Sequence, residues 1–503
     1  MSFTSLQFIL EFLPLSYLGY VLTQRFFGTK MALNYLALVS LVFYGMWGAQ
    51  LLIVLLISLA FNFSVGNILP NLGDNRTLAK NLLAGSIATN LVMLGYLKYT
   101  NFFVDIANQV TGAGFVSYDI AVPIGVSFFT FVQIGFLVDA YNGQLLRHNF
   151  THYVIFAAFF PTVTAGPLVM QREMMEQLGD PRHKAFELGR VMIGLTMFAM
   201  GLFKKILIAD SIAPFADAVF DGAHSGFGLT ASTAWIGSLS YALQLYFDFS
   251  GYSDIAIGLG TIFGIKLPLN FDSPFKATNI SDFWRRWHMT MTRFFTAYIY
   301  SGLAMAGMRK AMTSRASHFG RFFLSAALPS FVTFLCAGVW HGSGWTYVIY
   351  GAMHGVAIAI FLGWREFSKF QLSPALAWAL TMMTVVCGLV VFRAPDLTTA
   401  FRLFHSMFGL GGFAPVANAI NIDMAQALSM VVIFGAITLL LPNTQQIVHH
   451  EWPVVDAKPA DVARNAGLVT WRPNFTSAIL SAVIFTIGVA SITTTSSFVY
   501  FKF

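Results

Sequence analysis

The chain has 503 residues, of which 56% are hydrophobic and only 10% charged, against about 25% charged residues in a soluble globular domain. With a mean hydropathy of +0.68, this excludes a conventional cytosolic enzyme, a disordered chain and a coiled coil, and leaves a polytopic membrane protein. The formal net charge of +7, from 29 Lys and Arg against 22 Asp and Glu, is read as basic residues in cytoplasmic loops that set topology, not as a nucleic-acid surface.

Apolar segments fall near 5–24, 31–61, 81–110, 120–140, 152–170, 191–208, 231–264, 322–340, 345–363, 376–393, 425–441 and 476–500. The first has no basic leader or small-residue cleavage site and reads as a retained membrane helix. The 52 Phe and 21 Met give an aromatic, adaptable lipid-facing surface. Cys336 and Cys387 both sit in apolar runs and read as small packed residues rather than a disulfide or metal pair. No internal repeat or low-complexity segment interrupts the pattern.

Two stretches do not look like plain spans. Between Arg190 and Lys204 the apolar run "VMIGLTMFAMGLF" is about 20 Å long as a helix, short of a hydrocarbon core of about 30 Å. It is expected to be tilted, re-entrant or interfacial. The run from Arg285 to Arg309 is broken by Arg293 and rich in Thr, Tyr and Gly. Such helices survive at membrane depth only when buried in protein or lining a cavity, so the middle of the chain is expected to hold a polar-lined cavity. Basic clusters at 172–190, 204–205, 266–293, 309–321 and 365–369 mark the cytoplasmic face.

Ionisable residues inside apolar runs are costly and therefore informative. Asp248 and Asp254 lie in "SYALQLYFDFSGYSDIAIGLG", as a polar network joining helices or as a site wall that orients a histidine or ligand. "NISDFWRRWHMTMTRFF" offers Asn279, Asp282, Arg285, Arg286 and His288 among aromatics. Asn279 or Ser281 fits a helix N-cap. The segment is either an interfacial helix with snorkelling arginines, or Arg285 or Arg286 binds donor phosphate while His288 faces the cavity. His341 lies at a turn, "VWHGSGW", where Gly342 and Gly344 permit close approach; imidazole is the usual general base near neutrality. His354, in "YGAMHGVAIAI", reads first as a packing residue. The chain carries no H-x4-D, H-E-x-x-H, G-x-S-x-G, P-loop or C-x-x-C pattern, so a metal-independent histidine mechanism leads, with no metal site expected.

The blocks "QLYFDFSGYSDIAIGLG", "NFDSPFKATNISDFWRRWHMT" and "AGVWHGSGWTYVIYGAMHG" resemble the core of the membrane-bound O-acyltransferases (MBOAT), in the bacterial alginate O-acetyltransferase branch, related to the D-alanyl exporters of teichoic acid synthesis. "GYLKYTNFF", "VPIGVSFFTFVQIGFLVDAY", "FFPTVTAGPLV", "VVFRA", "LLPNTQQI" and the terminal "FVYFKF" resemble the same branch, so the likeness covers nearly the whole chain. It implies an all-α polytopic membrane protein with roughly 11–13 transmembrane and re-entrant helices around a central tunnel. It also implies one integral membrane domain over 1–503, with core signatures at about 120–365 and C-terminal helices plus the aromatic motif at 376–503.

The resemblance further implies that His341 is catalytic, that His288 is a second essential position, and that Tyr500 of the terminal motif can carry the acyl group. Trp340, Asn279, Asp248, Asp254, Arg285, Arg286 and His354 are then the expected donor-binding or site-orienting residues. No cofactor is expected to stay bound. The donor is expected to be acetyl-CoA or an acyl carrier protein thioester. The expected partners are membrane lipid, a periplasmic esterase-like acyltransferase and a polysaccharide acceptor, but no nucleic acid, at the bacterial inner membrane. Where alginate-type members continue R-D-Y-L-Y and G-G-N-R, this chain reads "TAYIYSGLAMAGMRK", which leaves alginate, cellulose and other surface glycans open as acceptors. The other readings weighed are a carrier-protein-dependent acyl exporter, a secondary transporter, for which inverted repeats would be expected, and a non-catalytic export scaffold.

Overall fold

The computed structural model describes residues 1–73, 75–180, 185–410, 412, 420, 422–448, 454–455, 470–492 and 498–499. Among these the chain is all-α, with isolated backbone bridges at Leu267–Val454 and Phe271–Trp287 in place of strands. Among the described residues, six helical runs are long and apolar enough to cross a membrane: Ala49–Leu72, Arg76–Thr111, Leu188–His224, His318–His341, Trp345–Phe367 and Pro374–Arg393. Val126–Tyr141, Met424–Leu440 and Phe475–Ala490 are shorter apolar helices. The surface is apolar and the interior polar in places. Phe27, Val92, Ile360 and Phe401 are exposed, whereas Asn62, Gln133, Asp248 and His288 are buried. That inversion suits a chain solvated by lipid, and the protein is a multi-pass membrane protein.

Three expectations from hydropathy change. The apolar run 31–61 is two helices, Thr29–Gly45 and Ala49–Ile68, because the chain turns at Gly48, whose φ of 151° suits glycine alone. The run 152–170 is helical only to Ala158. Pro161, Gly166 and Pro167 break the helix beyond it. Residues 159–169 are nevertheless all buried, the condition under which irregular backbone is tolerated at membrane depth.

The third change concerns 191–208. Read as an apolar run of about 20 Å between Arg190 and Lys204, this stretch is part of the 37-residue helix Leu188–His224, which passes through a π-turn at Lys204–Ala209. The lysines do not end it because counter-charges meet them. Lys204 Nζ lies 2.6 Å from Asp254, and Lys205 Nζ lies 2.7 Å from Asp248 and 2.8 Å from Asp210.

Asp248 and Asp254 belong to the 32-residue helix Ala231–Ile262, in which every residue from Ser240 to Ile262 is buried. It approaches Leu188–His224 along a seam of glycines. A Cβ on Gly201 would meet the Gly251 carbonyl at 2.5 Å, and one on Gly258 would meet the Gly194 carbonyl at 2.5 Å. Small residues at seven-residue spacing let two backbones touch, as in membrane helix pairs generally. A second such seam joins His318–His341 to Trp345–Phe367, where Gly338 and Gly351 face each other. This hairpin sets the direction of His341.

Candidate active site

His341 is the last residue of its helix and is buried. Its Nδ1 donates to the Ala337 carbonyl one turn back, at 2.6 Å. A carbonyl only accepts, so the neutral ring carries its proton on Nδ1 and its basic lone pair on Nε2. Trp340, Phe392 and Tyr350 surround the imidazole, with centroids 5.0, 5.3 and 6.0 Å away.

His288 is held in the same tautomer by other means. The helix Ile280–Arg286 is opened by Asn279, whose Oδ1 accepts from the Asp282 amide at 2.8 Å. It ends at Trp287, and His288 follows at φ 44°, in the left-handed region. A non-glycine residue there is uncommon. The strained turn is pinned by the segment Asn270–Asp272: the Asp272 amide donates to Arg286 O, the Met289 amide to Asn270 O, and Phe271 bridges Trp287. Asn270 Oδ1 accepts from His288 Nδ1 at 3.0 Å and from Thr290 Oγ1 at 3.0 Å.

Trp340 stands between the two histidines. Its ring lies 6.1 Å from that of His288 and 5.0 Å from that of His341, stacked against Phe131 at 5.6 Å. The structure therefore brings His288, Trp340 and His341 together. His354 is different. Its Nδ1 accepts from Trp284 Nε1 at 3.3 Å, so its lone pair is engaged and its proton sits on Nε2.

A cavity of about 380 Å³ opens beside this group, lined by Trp284, Arg285, Phe295, Thr296, Tyr300, Ser330, Thr333, Phe334, Ala337 and Arg365, among others. Its wall climbs the His318–His341 helix from Ser330 to Ala337, roughly 10 Å of rise, and stops at the residue whose carbonyl holds His341. Arg285 and Arg365 are exposed on it, and neither has an ionic partner among the described residues. The two adjacent arginines divide. Arg286 donates through Nε to Asp282 at 2.9 Å and through a guanidinium nitrogen to the Asp272 carbonyl at 3.3 Å, so it braces the loop, while Arg285 faces the cavity. Thr296 and Tyr300, from the segment that departs from the alginate pattern, line the same wall.

Asp248 and Asp254 lie apart from the cavity wall. Besides its lysine, Asp254 accepts from Thr444 Oγ1 at 2.7 Å and Gln445 Nε2 at 3.1 Å. Asp248 accepts from the Val499 amide at 2.9 Å, while Phe498 is buried against Tyr252 at 4.6 Å. The two carboxylates fasten a loop and the terminal segment to the core. Tyr500 lies outside the described residues.

Sequence reasoning missed three participants. Arg365 was visible only as part of a basic cluster. Asn270 was one polar residue in a loop. Lys98, whose Nζ donates to the Trp340 and His341 carbonyls, was a lysine inside an apolar run, a signal of the same kind as Asp248.

A family model described as MBOAT, membrane-bound O-acyltransferase family, matches residues 115–401. The chain is 37% identical over 434 residues to a peptidoglycan O-acetyltransferase of Helicobacter pylori, covering 80% of this chain and 79% of that one. It is 33% identical over 514 residues to a probable alginate O-acetylase of Pseudomonas putida, covering all of both. A teichoic acid D-alanyltransferase of Streptococcus thermophilus is 24% identical over 286 residues, covering 54% of this chain and 68% of that one.

Proposed function

The chain belongs to the membrane-bound O-acyltransferase family and is an O-acyltransferase, and on that premise we propose that it takes acetyl from a cytoplasmic thioester and delivers it across the bacterial inner membrane for O-acetylation of a cell-surface or exported polysaccharide. The observation that carries this reading is the cavity that begins at Arg285 and Arg365 and ends at Ala337, the anchor of His341. Two arginines without counter-ions among the described residues, at the basic, cytoplasmic end, suit an anionic donor such as acetyl-CoA, because guanidinium binds phosphate bidentately. The cavity size is within the range of small-molecule sites, and its wall ends one helical turn before His341.

The chemistry follows from the tautomer. His341 Nε2 takes the proton of an acceptor hydroxyl, and the oxygen attacks the thioester carbonyl. The C–S bond then breaks, and the departing thiolate receives that proton from the imidazolium. A base so placed is worth typically 10²–10⁴-fold. Only the acetyl group moves on, so the charged donor stays on its own side. A glycan acceptor is supported by the peptidoglycan and alginate activities named for the relatives, and a periplasmic esterase-like partner would complete the transfer. His341→Ala is expected to abolish acetylation of the envelope glycans while the protein still inserts in the membrane. Full acetylation, read by mass spectrometry of released glycans, would overturn the assignment.

A further inference from the structure

The last four carbonyls of an α-helix lack donors within the helix. In His318–His341, three of them are met from outside by two consecutive residues of the helix Arg76–Thr111. Tyr99 Oη donates to the Val339 carbonyl at 2.6 Å. Lys98 Nζ donates to the Trp340 and His341 carbonyls at 2.9 Å each and lies 3.4 Å from Ser127 Oγ. Lys98 and Tyr99 close a π-turn, Gly95–Tyr99, an insertion in the helical repeat that recurs at functional sites.

A helix that needed only termination has less costly means. Glycine in the left-handed region commonly closes such an end, but Gly342, which follows here, is extended at φ −164°. In its place stands an ammonium within the apolar helix Arg76–Thr111, a costly choice, bonded to the main chain of the residue whose ring does the work. His341 is thus fixed twice, its ring to Ala337 and its backbone to Lys98. The positive charge also offsets the negative end of the helix dipole.

We infer that Lys98 is a positioning residue for His341, holding the last helical turn in the register that presents Nε2 to the acceptor hydroxyl attacking the thioester. This rests on the reading of His341 as the base. Lys98 does not line the donor cavity, so its loss acts on turnover and not on donor binding.

The test uses inside-out envelope vesicles carrying the protein, with acetyl-CoA as the probe and release of CoA thiol as the readout. Lys98→Met is expected to lower kcat by about tenfold to a hundredfold, the scale of a misplaced reacting group, with KM for acetyl-CoA changed by less than about twofold. Lys98→Arg is expected to return kcat to within about threefold of the parent, since guanidinium spans the same two carbonyls. A Lys98→Met kcat close to the parent's, a loss seen in KM instead, or no rescue by arginine would overturn the inference. His341→Ala is run alongside. Activity in that variant sinks the reading of His341 as the base, whereas an inactive His341→Ala beside a fully active Lys98→Met sinks only the role of Lys98. Should Lys98→Met fail to reach the membrane, Tyr99→Phe decides, because it removes one bond and no charge. A lower kcat at constant KM supports the clamp, and an unchanged kcat overturns it.

Discussion

Two helical units bury ionisable residues in an apolar interior, and they use them in opposite ways. In Ala231–Ile262 the aspartates are matched by lysines of Leu188–His224, with distances of 2.6 and 2.7 Å, and every remaining bond ties down a loop or the chain end. In the hairpin His318–His341 and Trp345–Phe367 the two buried imidazoles, His341 and His354, are held by a carbonyl or an indole rather than by a counter-ion, and a cavity ends at Ala337, the residue that anchors the first of them. A charge with its counter-charge beside it is part of the scaffold. A neutral ring with a lone pair at the end of a cavity can take a proton.

Removing a scaffold charge is expected to have the largest effect. Asp254→Ala deprives Lys204, Thr444 and Gln445 of their acceptor, and breaking a buried pair costs about 3–5 kcal/mol. Thermal unfolding in detergent is expected to shift sharply downward, with KM for acetyl-CoA unchanged in the molecules that remain folded. A stable Asp254→Ala protein with impaired turnover would move this carboxylate from scaffold to site.

A smaller effect is expected from the cavity arginines. Arg285→Gln and Arg365→Gln are each expected to raise KM for acetyl-CoA about tenfold, the worth of one charge-assisted bond, with little change in kcat or unfolding temperature. If instead an acyl carrier protein is the donor, both variants lose turnover with carrier-bound acetyl alone. If KM is unmoved for either donor, the cavity is not the donor site.

The difference between the two units was only partly legible in the sequence. "VWHGSGW" put a base beside glycines, and the aspartates of "YFDFSGYSD" were conspicuous because charge in an apolar run is rare. Asn279 was legible as a cap because capping is local. The pairing was not legible, since each counter-charge comes from another helix. Lys204 and Lys205 therefore looked like the border of a run too short to span when they lie in the middle of a 37-residue helix. Lys98 meets carbonyls 242 and 243 residues away along the chain, beyond the reach of any periodicity. Hydropathy likewise could not tell the helix Phe150–Ala158 from the buried coil after it, because both are apolar.

The smallest effect tests whether the division holds within the hairpin itself. His354 lies two turns of helix from the His341 end and is as buried as His341, so burial alone does not separate them. The tautomer does: Trp284 Nε1 donates to His354 Nδ1, which consumes the lone pair a base would need. Gly388 of the neighbouring helix leaves space beside Nε2, where any Cβ would collide with the ring. Glutamine can offer an amide oxygen to the same indole, so His354→Gln is expected to keep kcat within about threefold of the parent and to lower the unfolding temperature slightly. A loss on the scale of His341→Ala would mean that the indole bond is broken during turnover and that the second imidazole shares the proton. In that case the lone pair, and not the cavity, would cease to mark the reactive histidine.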